Sequence, residues 1–125
     1  MGDDGDIMTV MDVTRARTKL LEAGTPHLIF EDDYMNTEVG TRGLVRIRDR
    51  RGNVIGLEFI EPEEFWANPD AVEEYAETLG EGVHVTVIVP DGEKADAEEL
   101  LHEMAGAAVE VLAYGDIGTI PSFQP

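Results

Sequence analysis

The sequence predicts a single α/β domain whose mixed sheet begins as an antiparallel meander and ends as a parallel strand-helix-strand unit. A length of 125 residues suits one domain, and 42% hydrophobic with 29% charged residues is a globular composition. Helical and strand periods alternate along the chain in the order helix, strand, strand, strand, helix, strand, helix, strand. We expect the domain to span residues 12–115, between a flexible acidic leader at 1–11 and a C-terminal tail at 116–125.

The first elements of the domain are a short helix and a strand. Residues 13–23 have apolar side chains at helical spacing, and Gly24 follows where glycine commonly ends a helix. Residues 27–31 have a strand pattern, and the polar residues 32–36 predict the turn that follows it.

The clearest element is a hairpin within residues 44–60. Its predicted loop, residues 50–52, has glycine at the third position, where a three-residue hairpin loop needs a left-handed backbone. This loop fixes the pairing of the two strands and places Ile47 opposite Ile55, so that apolar side chains share one face of the hairpin.

A two-residue loop would shift this pairing by one residue. Val45 would then lie opposite Glu58 instead of Leu57, which places a carboxylate among apolar neighbours. The apolar pattern therefore favours the three-residue loop. In that register we expect Glu58 to form an ion pair with Arg46.

The second half of the chain alternates helices and strands. Asn68 and Pro69 are typical of a helix cap and a first helical position, and the helix they start is expected to end at Leu79. The pattern then predicts a buried strand at 83–89, a helix at 93–105 and a strand at 109–114. Such a unit crosses right-handed between parallel strands.

Charge is distributed unevenly along the chain. Ten acids face eight basic residues through Arg51, whereas seventeen acids face only Lys94 from Gly52 onward, within a total net charge of −18. One interpretation is a salt-rich cytoplasm, where carboxylates keep the protein hydrated. The other is a basic protein partner. Direct nucleic-acid binding is disfavoured, because its affinity comes from Lys and Arg that neutralise phosphates.

Composition excludes several classes of site. Cysteine is absent, so disulfides, thiolate metal sites and cysteine nucleophiles are excluded. No apolar stretch approaches the ~20 residues of a spanning helix, and the acidic N-terminus is unlike a signal peptide. We expect a soluble cytoplasmic protein without membrane contact. Its three histidines, His27, His84 and His102, lack the spacing of paired metal ligands.

The predicted element order resembles the restriction-endonuclease-like core over residues 12–114. Residues 48–60 are similar to the hairpin that carries the Asp and Glu-x-Lys motif of that family. Glu58 matches the motif's glutamate, whereas Ile60 occupies its lysine position and Leu44 and Val45 occupy the position of its metal-binding Asp. The resemblance implies a metal-dependent phosphodiester-cleaving ancestor whose catalytic set is incomplete here.

Three sets of residues are candidate sites. Asp32 and Asp33 after the first strand, with Glu58 and Glu61 on and after the third, could converge at one end of the meander and hold Mg²⁺ or Mn²⁺. The alternative is a solvated acidic rim.

The other two sets concern anions and self-association. Arg15 and Lys19 on the first helix could hold an anion, or could balance neighbouring acids. Ile117, Ile120 and Phe123 in the tail could pack on the domain or on a second copy.

These observations favour a non-catalytic interaction or regulatory domain that needs no cofactor. Its partner would be a second copy of the chain, forming a homodimer, or a basic protein. The alternative is a divalent-metal-dependent hydrolase or nuclease-like protein.

Overall fold

The computed structural model describes residues 2–119, with side chains from residue 9 onward. Five strands form one mixed sheet in the order β1-β2-β3-β4-β5, with β1–β3 antiparallel and β3–β5 parallel. The predicted fold class and element order are confirmed. The elements are α1 (Gly2–Gly24), β1 (Ile29–Thr37), β2 (Gly40–Arg48), β3 (Val54–Ile60), α2 (Pro69–Gly80), β4 (His84–Val89), α3 (Lys94–Met104) and β5 (Glu110–Ala113), with 3-10 turns at Phe65–Ala67 and Tyr114–Asp116.

Two apolar cores lie on opposite faces of the sheet, because alternate strand residues point to opposite sides. One core is covered by α2 and α3 and includes Phe59, Tyr75 and Leu101. The other is covered by α1 and includes Leu21 and Ile47. The domain is therefore a three-layer sandwich, with one helix on one side of the sheet and two on the other.

Helix α1 begins much earlier than the sequence pattern predicted. It runs from Gly2, and Val10, which the sequence analysis placed in a leader outside the domain, is 1% exposed in the core beneath α1. The buried stripe of α1 also contains Thr14 and Arg17, both 0% exposed. A search for apolar spacing misses such a stripe, because its polar members are buried only when they find partners.

Strand β1 is longer than predicted and includes the residues expected to form a turn. Positions 32–36 are paired with β2 through Asn36 opposite Thr41, and the turn lies at residues 38–39. The carboxylates are tolerated there because β1 is an edge strand, where charged side chains reach solvent. Glu31 also meets Arg48 at 2.8 Å.

The β2–β3 loop is as predicted, but the pairing beyond it is not. Gly52 has φ 88° and donates its N–H to the Asp49 carbonyl. This is the geometry of the predicted three-residue loop. Between Ile47 and Arg48 the register then shifts by one residue, since Ile55 forms a β-bulge. Beyond this bulge Val45 lies opposite Glu58, the arrangement that the apolar pattern had rejected.

The second half of the fold follows the prediction closely. The Asn68 side chain accepts a hydrogen bond from Asp70 N at 2.9 Å and caps α2, with Pro69 in its first position. Strands β3, β4 and β5 are parallel neighbours, as the β-α-β pattern indicated. Within residues 2–119 no helix is long and apolar enough to cross a membrane.

Gly43 of β2 is required for the close approach of α1. A Cβ at this position would lie 2.0 Å from Thr14 Oγ1 and 3.3 Å from Ile60 Cβ. We expect Gly43→Ala to lower the free energy of unfolding by about 1–3 kcal/mol through overpacking. Urea denaturation followed by Trp66 fluorescence would measure this.

The matched control for this substitution is Gly80→Ala at the end of α2. No atom lies within 4 Å of the Cβ that alanine would add there. Stability should stay unchanged or rise by roughly 0.5–1 kcal/mol, since glycine disfavours helices. A Gly43→Ala variant as stable as the wild type would contradict the packing of α1 on β2.

Candidate functional site

The four carboxylates predicted to bind a metal do not converge. Asp32 lies opposite Val45 on the α1 face, as does Glu58, whereas Asp33 lies opposite Leu44 on the α2–α3 face. Glu61 contacts Tyr75 of α2, so it also lies on the α2–α3 side. The predicted convergence of these four carboxylates around Mg²⁺ or Mn²⁺ is wrong for this reason. Among residues 9–119 no group of three or more His, Asp or Glu side chains is placed to hold a metal ion.

Glu58 is held by Arg17 from the middle of α1. Arg17 Nε donates to Glu58 Oε1 at 2.6 Å and Nη2 donates to Oε2 at 2.8 Å, and both side chains are 0% exposed. A bidentate pair of this kind is among the stronger hydrogen-bonded arrangements in proteins. The predicted pairing of Glu58 with Arg46 is wrong, because the bulge turns Glu58 toward α1. Arg46 lies 3.8 Å from Glu31 instead.

Glu61 is held by a second buried arginine, on the opposite face of the sheet. Arg42 Nε and Nη2 donate to its two carboxylate oxygens at 2.8 and 2.7 Å, and the Tyr75 hydroxyl donates to Oε2. The Arg42 guanidinium also lies 4.7 Å from the centre of the Phe65 ring. Burial raises the pKa of Glu61, and burial together with the neighbouring Glu61 charge raises the pKa of Tyr75.

Both carboxylates are therefore closed to solvent and to ligands. Glu58, the residue that matches the endonuclease motif, has both oxygens bonded to Arg17, and Ile60 at the motif's lysine position is packed in the core. Catalysis by a carboxylate requires hydrogen-bond reach to a substrate. The geometry of Glu58 and Glu61 instead serves to connect helices to the sheet.

The remaining predicted sites lie apart from each other. Arg15 and Lys19 are exposed on α1, and Arg15 interacts with the Tyr34 hydroxyl, whose pKa is raised by burial and by Asp32. Binding of an anion there stays a prediction. Arg15 therefore already has the Tyr34 hydroxyl as a protein partner.

The described part of the tail lies on the domain. Ile117 packs against the core beneath α1, and Arg17 Nη1 donates to the carbonyls of Ile117 and Thr119 at 2.7 and 2.5 Å. Ile120 and Phe123 lie outside the described residues. Self-association through this tail therefore stays a prediction, with Ile117 already packed within its own domain.

The exposed acids concentrate in the segment that contains α2 and α3. Residues 63–103 contain thirteen acids and one basic residue, Lys94, which meets Asp116 at 3.3 Å. We call the exposed acids of this segment the acidic layer. Its members are Glu63, Glu64, Asp70, Glu73, Glu77, Glu81, Asp91, Asp96, Glu99 and Glu103.

A groove opens within the acidic layer between the 3-10 turn and α3. It has a volume of about 360 Å³, and we call it the Trp66 groove. Its lining combines apolar side chains with carboxylates: Trp66, Ala67, Leu100, Asp96, Glu99 and Glu103. Trp66 is fixed in place, since the residue is 7% exposed and its Nε1 donates to Glu93 at 2.8 Å.

A second depression runs along the edge strand β5. It has a volume of about 540 Å³ and its lining includes His84, Lys94, His102 and Glu110. His84 Nε2 lies 3.4 Å from Glu110, and His102 Nε2 lies 2.8 Å from the Val109 carbonyl. These side chains are engaged with the protein itself.

No protein-family model and no curated protein sequence matches this chain. Sequence reasoning identified the acidity of the second half but missed the Trp66 groove. A signal was present, because Asp96, Glu99 and Glu103 follow helical spacing on one side of α3. Their position beside Trp66 depends on packing between the 3-10 turn and α3, which spacing alone does not reveal.

Proposed function

We propose that this chain is a non-catalytic interaction domain whose acidic layer binds a basic protein. The observation that carries the proposal is the contrast between buried and exposed carboxylates. Glu58 and Glu61 each have an arginine partner inside the domain. The ten carboxylates of the acidic layer are exposed to solvent.

The concentration of acids in one segment supports a partner more than hydration alone. Charge that serves only solubility has no need to concentrate in one segment, whereas a binding surface does. The layer's own segment contains a single lysine, and the exposed arginines Arg50 and Arg51 belong to the β2–β3 loop. Such a field raises the encounter rate with a cationic protein and disfavours acidic ones.

The proposal is tested by neutralising acids in matched sets of three. The α2 variant carries Glu73→Gln, Glu77→Gln and Glu81→Gln, all exposed in the acidic layer. The reference variant carries Asp12→Asn, Glu22→Gln and Glu38→Gln, all exposed outside the layer. Both variants lose three negative charges, so that long-range effects of net charge are equal.

Binding of a synthetic arginine homopeptide is then measured by titration calorimetry at low salt. Exposed ion pairs each contribute about 0.2–1 kcal/mol, so the α2 variant should bind on the order of tenfold more weakly than the wild type. The reference variant should stay within about twofold, because its acids lie outside the layer. Equal losses in both variants would overturn the proposal in favour of general charge attraction.

A further inference from the structure

The Trp66 groove has an apolar surface beside carboxylates, and these complement the apolar stem and the cationic end of an arginine side chain. Trp66, Ala67 and Leu100 offer apolar contact, while Asp96 and Glu99 offer carboxylates at the same groove. Arginine has an apolar stem and a planar, weakly hydrated cation that bonds carboxylates in a bidentate manner and packs on aromatic rings. The groove is therefore complementary to arginine in both polarity and charge.

The three carboxylates of the groove have no cation of their own. Asp96, Glu99 and Glu103 are exposed, and within the part of the chain that the structure describes none of them forms an ion pair. Asp96 and Glu99 are three residues apart on α3, and Glu99 and Glu103 are four apart. Like charges at these spacings destabilise a helix, so a bound cation would relieve a repulsion that is already present.

The apolar side of the groove is already rigid. Trp66 belongs to the main core on the α2–α3 face and is anchored through its Nε1 to Glu93. A ligand that packs against it does not have to order it first, which lowers the entropic cost of binding. Lysine lacks the planar fork that would use two carboxylates at once, and so fits this arrangement less well.

We infer that the Trp66 groove binds an arginine side chain of the basic protein, an assignment that rests on the function proposed above. The stem packs on Trp66 and Leu100, and the guanidinium bonds the carboxylates of Glu99 and Glu103 or of Asp96. The acidic layer attracts the partner, and the groove selects arginine within it.

Trp66 is the only tryptophan in the chain, so its fluorescence reports on the groove directly. A peptide of alternating alanine and arginine should change this fluorescence in a saturable way, and an alanine-lysine peptide of equal charge should bind several-fold more weakly. The groove variant, Asp96→Asn with Glu99→Gln and Glu103→Gln, should lose at least about tenfold in affinity for the arginine peptide. A milder variant, Glu99→Gln with Glu103→Gln, provides the same test if the triple substitution unfolds α3.

The α2 variant separates this inference from the proposed function. It lacks the same number of charges as the groove variant but keeps the groove, so it should retain the fluorescence change and the preference for arginine. A groove variant that keeps the fluorescence change, with arginine and lysine peptides bound alike by the wild type, would overturn the groove and leave the acidic layer standing. Losses equal to those of the reference variant would overturn both.

Discussion

Replacing Arg17 with methionine is expected to lower the free energy of unfolding by about 3–5 kcal/mol. The substitution leaves Glu58 without a cation at a site where both side chains are 0% exposed. It also removes the donor to the carbonyls of Ile117 and Thr119, so the end of the described chain loses its link to α1. Urea denaturation, followed by far-ultraviolet circular dichroism at constant KCl, measures the loss.

The control for Arg17 is the double variant Arg17→Met with Glu58→Met. Replacing a whole buried pair with apolar residues of similar volume is often neutral, whereas removal of one partner is not. The double variant should therefore recover most of the lost stability, although about 1–3 kcal/mol stays lost where the two carbonyls lack a donor. A single variant within about 1 kcal/mol of the wild type would contradict the burial of this pair.

The second large effect is expected at Arg42. Arg42→Met leaves Glu61 beside Tyr75 without its guanidinium and removes a cation from the Phe65 ring. We expect a loss of about 3–5 kcal/mol near pH 7, measured by urea denaturation.

The loss at Arg42 should also depend on pH, with a definite sign. Burial raises the pKa of Glu61 above its ordinary value of 4.5, so between the unfolded and folded pKa values the folded state holds a proton that the unfolded state has released. Stability linked to this group is present at low pH and is lost as the pH rises through the raised folded pKa. Without Arg42 the charged form is disfavoured further, so the variant's deficit should be larger at pH 7 than at pH 5. A deficit that is equal at both, or larger at pH 5, would contradict this account of Glu61.

Local signals were sufficient for the second half of the fold. The cap at Asn68, the end of α2 within one residue of Leu79 and the buried strand β4 each depend on neighbours in sequence, and the structure has them where the pattern indicated. The three-residue loop ending at Gly52 is a local signal of the same kind. Interactions within one element are enough to specify these features.

Long-range pairs of polar residues explain the errors in the first half. Arg17 and Glu58 are 41 residues apart, and neither is recognisable as buried until the other is placed beside it. The same pair accounts for the register of the hairpin, because a bulge at Ile55 is favourable only if Glu58 has a cation beneath α1. A register predicted by placing apolar residues opposite one another could not include the effect of Arg17.

The candidate sites also differ in whether local sequence or long-range packing determines them. The excess of acids after Gly52 was visible in composition and corresponds to the acidic layer. The metal hypothesis depended on where β1 ends, and the strand continues to Thr37, well past Asp32 and Asp33. The Trp66 groove forms where two elements pack together, and Trp66 and Asp96 are 30 residues apart in the chain. The sequence around either residue alone does not indicate this contact.

The most direct test of the acidic layer as a binding surface is the Trp66 response to the alanine-arginine peptide in KCl of about 0.1 M and about 1 M. The screening length falls from about 10 Å to about 3 Å between these concentrations, so long-range attraction fades while close ion pairs persist. We expect a weaker but still saturable response in the wild type at about 1 M, and none in the groove variant. A wild-type response that disappears at high KCl together with those of the α2, groove and reference variants would contradict the account, because the carboxylates would then act only as diffuse charge.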